Sequence, residues 1–136
     1  MFAQATVQAQ RPLVVVVDDQ SFFRAYLREE LSRRGHVVVS VGNAPAAVRI
    51  VEELGPPMVL ILDLMLPGTS GPELLHALAH RPDASSLRFI LVSAHSVVEK
   101  VAPNHKLVVG RLEKPVDLGH LTECLQSAGV ALCASG

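Results

Sequence analysis

The stretch MVLIL at residues 58–62, followed at once by Asp63, indicates the fold of this chain. It is an unbroken aliphatic run of strand length, which is typical of a strand covered on both faces in a parallel sheet flanked by helices. Further apolar runs of strand length lie on either side of it, and the two that polar or small residues interrupt predict edge strands. The predicted strands are Leu13–Val17, Val37–Val41, Met58–Leu62, Phe89–Val92 and Leu107–Leu112.

Segments with apolar residues at helical spacing separate the predicted strands. A short candidate helix covers Ser96–Val101 and is ended by Pro103; the other segments carry recognisable capping or stop residues. Because each helix must return the chain to the same end of the sheet, a strand–helix alternation repeated five times predicts an α/β domain with parallel strands and right-handed crossovers. The predicted caps are Asn43, Ser70 (with Glu73) and Asp117, and the predicted stops are Gly35, Gly55 and Gly129.

Length and composition predict one globular domain in the cytoplasm. The chain has 136 residues, of which 49% are hydrophobic, and a net charge of −1. The balance of charge gives no electrostatic attraction to nucleic acid or anionic membrane. The first ten residues lack the pattern of a signal peptide, and the apolar runs are too short to span a bilayer. We expect a flexible N-terminal extension over residues 1–11, a domain over 12–128 and a flexible tail over 129–136.

Acidic residues stand directly after two of the predicted strands. Asp18 and Asp19 follow the first strand and Asp63 the third, while Ser93 and Lys114 end the fourth and fifth. The carboxyl ends of parallel strands share one edge of the sheet, where open α/β sheets bind their ligands. Carboxylates gathered there repel one another by roughly 4 kcal/mol per pair at ~4 Å and an effective dielectric of about 20. Since Mg²⁺ prefers oxygen ligands, the pattern predicts a magnesium site.

This set of side chains fits phosphoryl transfer. A carboxylate beside Mg²⁺ can attack a phosphoryl group and form an aspartyl phosphate, a transfer that depends on neutralised charge and in-line positioning. Asp63 is the candidate nucleophile because its strand is central in the predicted sheet. The predicted metal ligands are Asp18, Asp19, Asp63 and the backbone carbonyl of Met65, and the predicted contacts of the phosphoryl oxygens are Ser93 and Lys114.

Four motifs together resemble the receiver domain of two-component response regulators: VVVVDDQ (14–20), LILDLMLPGTSGPELL (60–75), LVSAH (91–95) and LEKP (112–115). The resemblance implies a flavodoxin-like (βα)5 fold, a three-layer sandwich with strand order 2-1-3-4-5. It also implies Mg²⁺-dependent phosphorylation of Asp63 by a histidine kinase or histidine phosphotransfer protein. Ser93 would then move toward the phosphoryl group as a switch, with the small Ala94 leaving room for it. Pro115 is the candidate for a cis turn.

The chain departs from the family pattern where the family usually signals. Arg111 occupies the position three residues before Lys114 at which the family usually has Tyr or Phe. We hypothesise that Arg111 alters or replaces this aromatic switch. The departure lies on the face formed by the fourth helix, fifth strand and fifth helix. Since only seven residues follow Gly129, we expect output through this face to a protein partner.

Three other readings compete with a phosphorylated receiver. A phosphatase with an aspartate nucleophile would carry a D-x-D pattern after the first strand, where this chain has adjacent Asp18 and Asp19. A nucleotide or flavin binder needs a loop there that attracts phosphate, and these carboxylates repel it. A docking scaffold that works without phosphorylation is the third alternative. We expect no catalysis beyond the domain's own phosphotransfer and dephosphorylation.

Overall fold

A five-stranded parallel sheet forms the centre of the computed structural model, which describes residues 12–94 and 105–135. The strands are β1 (Leu13–Val17), β2 (Val38–Val41), β3 (Met58–Asp63), β4 (Leu87–Ala94) and β5 (Val108–Lys114). Their order is β2-β1-β3-β4-β5, so the two interrupted runs are the edges. The predicted flavodoxin-like α/β fold is therefore confirmed.

Three of the described α-helices begin where the sequence places capping side chains. The Asn43 side chain accepts a hydrogen bond from the N–H of Ala46 (2.9 Å), and the Ser70 hydroxyl accepts one from Glu73 (3.3 Å). Asp117 accepts from two N–H groups of the last helix. The predicted caps are thus confirmed. The α-helices of the described residues are α1 (Ser21–Arg33), α2 (Ala44–Leu54), α3 (Gly71–Ala79) and α4 (Leu118–Ser135), and Ala84–Ser86 form a 3₁₀ turn.

Two apolar clusters hold the three layers together, one on each face of the sheet. On one face, side chains of α2 and α3 pack on β1, β3 and β4, with Leu60 and Phe89 fully buried. On the other, α1 and α4 pack around Ile61 and Ile90. Adjacent residues in the middle of β3 and β4 point into different clusters, so both faces must be apolar there, which explains the unbroken runs Met58–Leu62 and Phe89–Val92.

The last helix is longer than the sequence predicts. A stop was expected at Gly129 and a flexible tail over 129–136, but α4 continues through this glycine to Ser135. Leu132, three residues past the predicted stop, is buried in the cluster shared by α1 and α4. Burial of such a side chain contributes about 2 kcal/mol, which exceeds the cost of about 1 kcal/mol for a helical glycine. The predicted helix end is therefore wrong.

Two expectations fall on residues outside the described ranges. These are the N-terminal extension over residues 1–11 and the short helix over Ser96–Val101 with its end at Pro103. Of the helices that the structure does describe, none combines the length and the apolar character needed to cross a membrane.

Gly71, the first residue of α3, lies against the backbone that follows β3, and its substitution tests this contact. A Cβ at Gly71 would stand 2.5 Å from the carbonyl oxygen of Asp63 and 2.6 Å from Cα of Leu64, both backbone atoms that cannot swing away. We expect Gly71→Ala to lower the free energy of unfolding by about 2–3 kcal/mol in urea denaturation.

The matched control is Gly129→Ala, because nothing lies within 4 Å of a Cβ there. In the interior of α4, alanine should raise the free energy of unfolding by up to about 1 kcal/mol. A Gly71→Ala protein as stable as the parent would show that the backbone after β3 yields easily.

Candidate functional site

An acidic pocket lies at the carboxyl edge of the sheet, where β1 and β3 end side by side. Asp18 and Asp19 follow β1, and Asp63 is the last residue of β3. One carboxylate oxygen from each lies within 4.8 Å of the other two. Asp18 and Asp63 are only 1% and 5% exposed, whereas Asp19 is open to solvent. The structure therefore brings together the three acidic residues that the sequence predicts.

Lys114 reaches into this pocket from the end of β5. Its ammonium donates a hydrogen bond to Oδ2 of Asp18 (2.8 Å) and lies 3.7 Å from Oδ2 of Asp63, an ion pair too long for a hydrogen bond. The fifth strand is separated from β1 by β3 and β4 in the sheet. A long side chain is therefore needed for this contact, and the predicted convergence of Lys114 with the carboxylates is observed.

Two contacts of Lys114 were not anticipated from the sequence. Its ammonium also donates to Oε1 of Gln20 (3.0 Å) and stands 4.4 Å from the ring centre of Phe23. Both residues are near the start of α1. In the sequence, Phe23 stands out only as the first of three apolar residues at helical spacing, with Leu27 and Leu31. A signal was available for Gln20, because a glutamine occupies a helix N-cap position that normally favours Ser, Thr, Asp or Asn.

Backbone N–H groups fix the orientation of the two buried carboxylates. Oδ1 of Asp18 accepts from the N–H of Gln20 (2.8 Å), and Oδ1 of Asp63 accepts from the N–H of Met65 (2.9 Å). The guanidinium of Arg24 donates to the carbonyl oxygen of Asp18 (2.6 Å). The observed part of Met65 in the site is thus its N–H, and the metal-binding role of its carbonyl stays a prediction.

Ser93 is fully buried on β4, next to the strand that carries Asp63. Among the residues that the structure describes, its hydroxyl oxygen is the one buried side-chain N or O atom with no hydrogen-bond partner. An unsatisfied buried hydroxyl costs on the order of 1–3 kcal/mol. The predicted contact of this hydroxyl with a phosphoryl oxygen stays a prediction, and its observed feature is a buried donor without a partner among the described residues.

The remaining predicted positions lie on β4 and β5 or directly after β5. Ala94 ends β4 and is exposed, opposite Lys114 in the register of β4 and β5. The Lys114–Pro115 peptide bond is cis, as expected for Pro115. Arg111 is exposed on β5, the strand that carries Lys114.

Burial raises the pKa of the Asp63 carboxyl above its ordinary value of 3.8. The N–H of Met65 opposes this shift, the charge of Asp18 adds to it, Lys114 opposes it, and Asp19 adds to it. The carboxylate form of Asp63 is thus under-compensated by the protein alone. The pocket offers hard oxygen ligands and an excess of negative charge, and this chemistry fits a divalent cation such as Mg²⁺.

Comparisons with known proteins agree with this geometry. The model of the family described as "Response regulator receiver domain" matches residues 14–126. A response regulator receiver protein from Pseudomonas putida shares 34% identity and superposes with a TM-score of 0.76, over 86% of this chain and 97% of its own. A sensor protein from Polaromonas sp. JS666 gives 26% identity and a TM-score of 0.79, over 90% and 98% of the two chains.

Curated relatives are longer than this chain. It is 38% identical over 84 residues to the phosphate regulon transcriptional regulatory protein PhoB of Rhizobium meliloti, which is 61% of this chain and 36% of that protein. It is 32% identical over 117 residues to the DNA-binding transcriptional regulator NtrC of Azospirillum brasilense, which is 85% of this chain and 24% of that protein. The match thus spans about a third or less of these relatives.

The charge at Asp63 has a stability cost that substitution should reveal. Without divalent cations, Asp63→Asn should raise the free energy of unfolding at neutral pH by on the order of 1 kcal/mol, because the amide keeps the acceptor oxygen and removes the buried charge. The pKa of Asp63 in the folded protein lies above 3.8. At pH values just above 3.8, the folded protein therefore binds more protons at this carboxyl than the unfolded chain does. The contribution of Asp63 to the stability of the parent therefore falls as the pH rises through the raised pKa.

The advantage of Asp63→Asn over the parent should accordingly shrink as the pH is lowered toward 3.8, in urea titrations with EDTA. Asp83→Asn is the control, because the adjacent Arg81 guanidinium lowers the pKa of Asp83 and its charge is already paired. An Asp63→Asn protein less stable than the parent at neutral pH would contradict the account of a repulsive pocket.

Proposed function

This chain belongs to the response regulator receiver domain family, and on that premise we propose that it accepts a phosphoryl group on Asp63 in a Mg²⁺-dependent reaction. The donor would be the phosphohistidine of a histidine kinase or histidine phosphotransfer protein, and the output a conformational change passed to a protein partner. The observation that carries the proposal is the contact of Lys114 with the buried carboxylate pair, at 2.8 Å from Asp18 and 3.7 Å from Asp63.

The metal in this proposal is held by oxygen atoms of the acidic pocket. Asp18, Asp19 and Asp63 supply carboxylates within 4.8 Å of one another, and the carbonyl of Met65 is the further ligand expected from the sequence. Bound Mg²⁺ supplies positive charge that offsets the carboxylates and the incoming phosphoryl oxygens. With the pocket neutralised, Asp63 is available as a nucleophile in its ionised form.

In the transfer step, a carboxylate oxygen of Asp63 attacks the phosphorus of the donor's phosphohistidine. The O–P bond forms as the N–P bond breaks, and the imidazole leaves with the electron pair of that bond. It leaves neutral when its other nitrogen carries a proton. The N–H of Met65, which donates to Oδ1 of Asp63, leaves the second oxygen of that carboxylate to make the attack.

Two side chains would receive the transferred group. Lys114 is a compact point charge suited to one phosphoryl oxygen, and its ammonium already lies beside Asp63. The Ser93 hydroxyl, which is buried without a partner, would donate to another. A hydrogen bond gained at Ser93 after phosphorylation favours the phosphorylated conformation, and Ala94 next to it leaves room for the movement.

The proposal also covers the location of the domain, its partners and its output. We infer that it works in the cytoplasm without binding nucleic acid or membrane itself, and that it catalyses only its own phosphotransfer and dephosphorylation. Its output would pass through the face formed by the fifth strand and its neighbouring helices. A docking scaffold that works without phosphorylation is the alternative, and the unusual Arg111 on that strand is the observation that favours it.

Treatment with beryllofluoride or acetyl phosphate tests the chemistry. With Mg²⁺, we expect the parent to gain the mass of one phosphoryl group from acetyl phosphate and to show beryllofluoride-dependent NMR shifts around Asp63, Ser93 and Lys114. Asp63→Asn should show neither, because the nucleophilic oxygen is gone. Asp83→Asn, which removes a surface carboxylate paired with Arg81, should behave as the parent. A parent that takes up neither reagent would support the docking scaffold instead.

Arg111 permits a separate test of the output. If Arg111 replaces the usual aromatic switch, Arg111→Ala should still be phosphorylated, because the residue lies outside the acidic pocket. The beryllofluoride-dependent shifts along β5 and α4 should however differ from those of the parent. Arg49→Ala, which removes an exposed arginine of α2, is the control. Identical shifts in Arg111→Ala and the parent would show that Arg111 has no part in the switch.

A further inference from the structure

The ammonium of Lys114 has more partners than the carboxylates alone. An ammonium carries three N–H donors. One donates to Asp18 (2.8 Å) and one to Gln20 (3.0 Å), while Asp63 lies beyond hydrogen-bond distance at 3.7 Å. One donor is therefore uncommitted on the side of Asp63, where the proposed function puts the phosphoryl group.

Gln20 makes this contact at the expense of a helix cap. It stands at the N-cap of α1 and makes no side-chain capping bond. A side chain that caps the helix at such a position normally stabilises it. A local preference that is given up without a structural gain is typical of a functional position. The side chain of Gln20 instead accepts from Lys114, which is 94 residues away in the sequence.

Phe23 fixes the lysine from another side. Its ring centre lies 4.4 Å from the Lys114 ammonium, within the range of a cation–π contact. The ring is partly buried and packs against the apolar cluster shared by α1 and α4, so its position is set by the core. By contrast, its neighbour Phe22 is 86% exposed. Phe23 thus contacts the lysine, and Phe22, its neighbour in the sequence, is an exposed phenylalanine for comparison.

Both contacts are electrically neutral, and this matters once phosphorus enters the site. A metal bound at Asp18 would compete with Lys114 for that carboxylate. It would leave the contacts of Lys114 with the Gln20 amide oxygen and the Phe23 ring in place. A free lysine side chain samples many rotamers, and part of this conformational entropy is lost whenever the ammonium is fixed. Residues that restrict Lys114 beforehand reduce that loss when a phosphoryl oxygen binds.

We propose that Gln20 and Phe23 are positioning residues that hold the Lys114 ammonium for the phosphoryl group on Asp63. The inference rests on the proposed function and extends it to residues outside the acidic pocket. It predicts that Gln20 and Phe23 contribute to binding of the phosphoryl group through Lys114 and contribute little to binding of Mg²⁺.

The experiment compares two affinities in the whole chain by calorimetry: that of Mg²⁺ alone, and that of beryllofluoride at saturating Mg²⁺. Gln20→Met keeps the length of the side chain and removes the acceptor oxygen, and Phe23→Leu removes the ring. We expect each to weaken beryllofluoride binding about three- to fivefold, the scale of an exposed contact to a charged group, with the Mg²⁺ affinity unchanged within about twofold. Gln126→Met and Phe22→Leu, at exposed helix positions, should match the parent.

A double-mutant cycle separates positioning from mere structure. In a Lys114→Ala background, Gln20→Met should cause no further loss, because the residue it positions is absent. Thermal melting of each variant checks folding, and Gln20→Met, at an exposed site, carries the test if Phe23→Leu is unstable.

Three results would overturn the inference. Unchanged beryllofluoride affinity in Gln20→Met would do so, as would an equal loss of Mg²⁺ affinity or a loss of the same size in the Lys114→Ala background. In each of these cases a parent that binds beryllofluoride leaves the proposed function standing. A parent that fails to bind it overturns the proposed function and this inference together.

Discussion

Two carboxylates buried on neighbouring strands are the constraint around which the rest of the structure is arranged. Asp18 and Asp63 end up side by side because β1 and β3 are adjacent, and both are almost completely buried. At ~4 Å and an effective dielectric of about 20, such a pair costs roughly 4 kcal/mol. The protein offsets part of this with Lys114 and with the N–H groups of Gln20 and Met65. The raised pKa of Asp63 shows that, after burial, the compensation is incomplete.

This arrangement was largely predictable because topology alone produces it. Unbroken apolar runs predict parallel strands, and parallel strands place residues such as Asp18, Asp63 and Lys114 at one edge whatever their separation in sequence. The contacts of Gln20 and Phe23 with Lys114 depend on side-chain conformations, which periodicity does not encode. The end of α4 was missed for a different reason: burial of Leu132 overrode the local preference of Gly129, and burial is a tertiary property.

The costs in stability lie where the proposed function needs them. Asp63 carries a charge that folding disfavours, and Gln20 leaves α1 without a side-chain cap. The Ser93 hydroxyl is buried with no hydrogen-bond partner among the residues that the structure describes. The surrounding framework shows the opposite pattern, with caps at Asn43 and Ser70 and two continuous apolar clusters. Natural proteins tend to depart from local preferences at their functional sites and to compensate elsewhere. The departures in this chain therefore coincide with the proposed site, and this agreement does not depend on any resemblance.

The same framework explains how an event at Asp63 could reach the edge of the sheet. Lys114 connects the pocket to β5 directly, and in the register of the two strands it lies opposite Ala94, next to Ser93. The two side chains proposed to contact the phosphoryl group therefore sit on adjacent strands, both at their carboxyl ends. A phosphoryl group that engages both would fix the ends of β4 and β5 relative to each other. In the sheet that the described residues form, β5 is an edge strand paired with β4, and Arg111 lies on it. Of the two edge strands of the described sheet, β5 is thus the one attached to the proposed phosphorylation site by an ion pair.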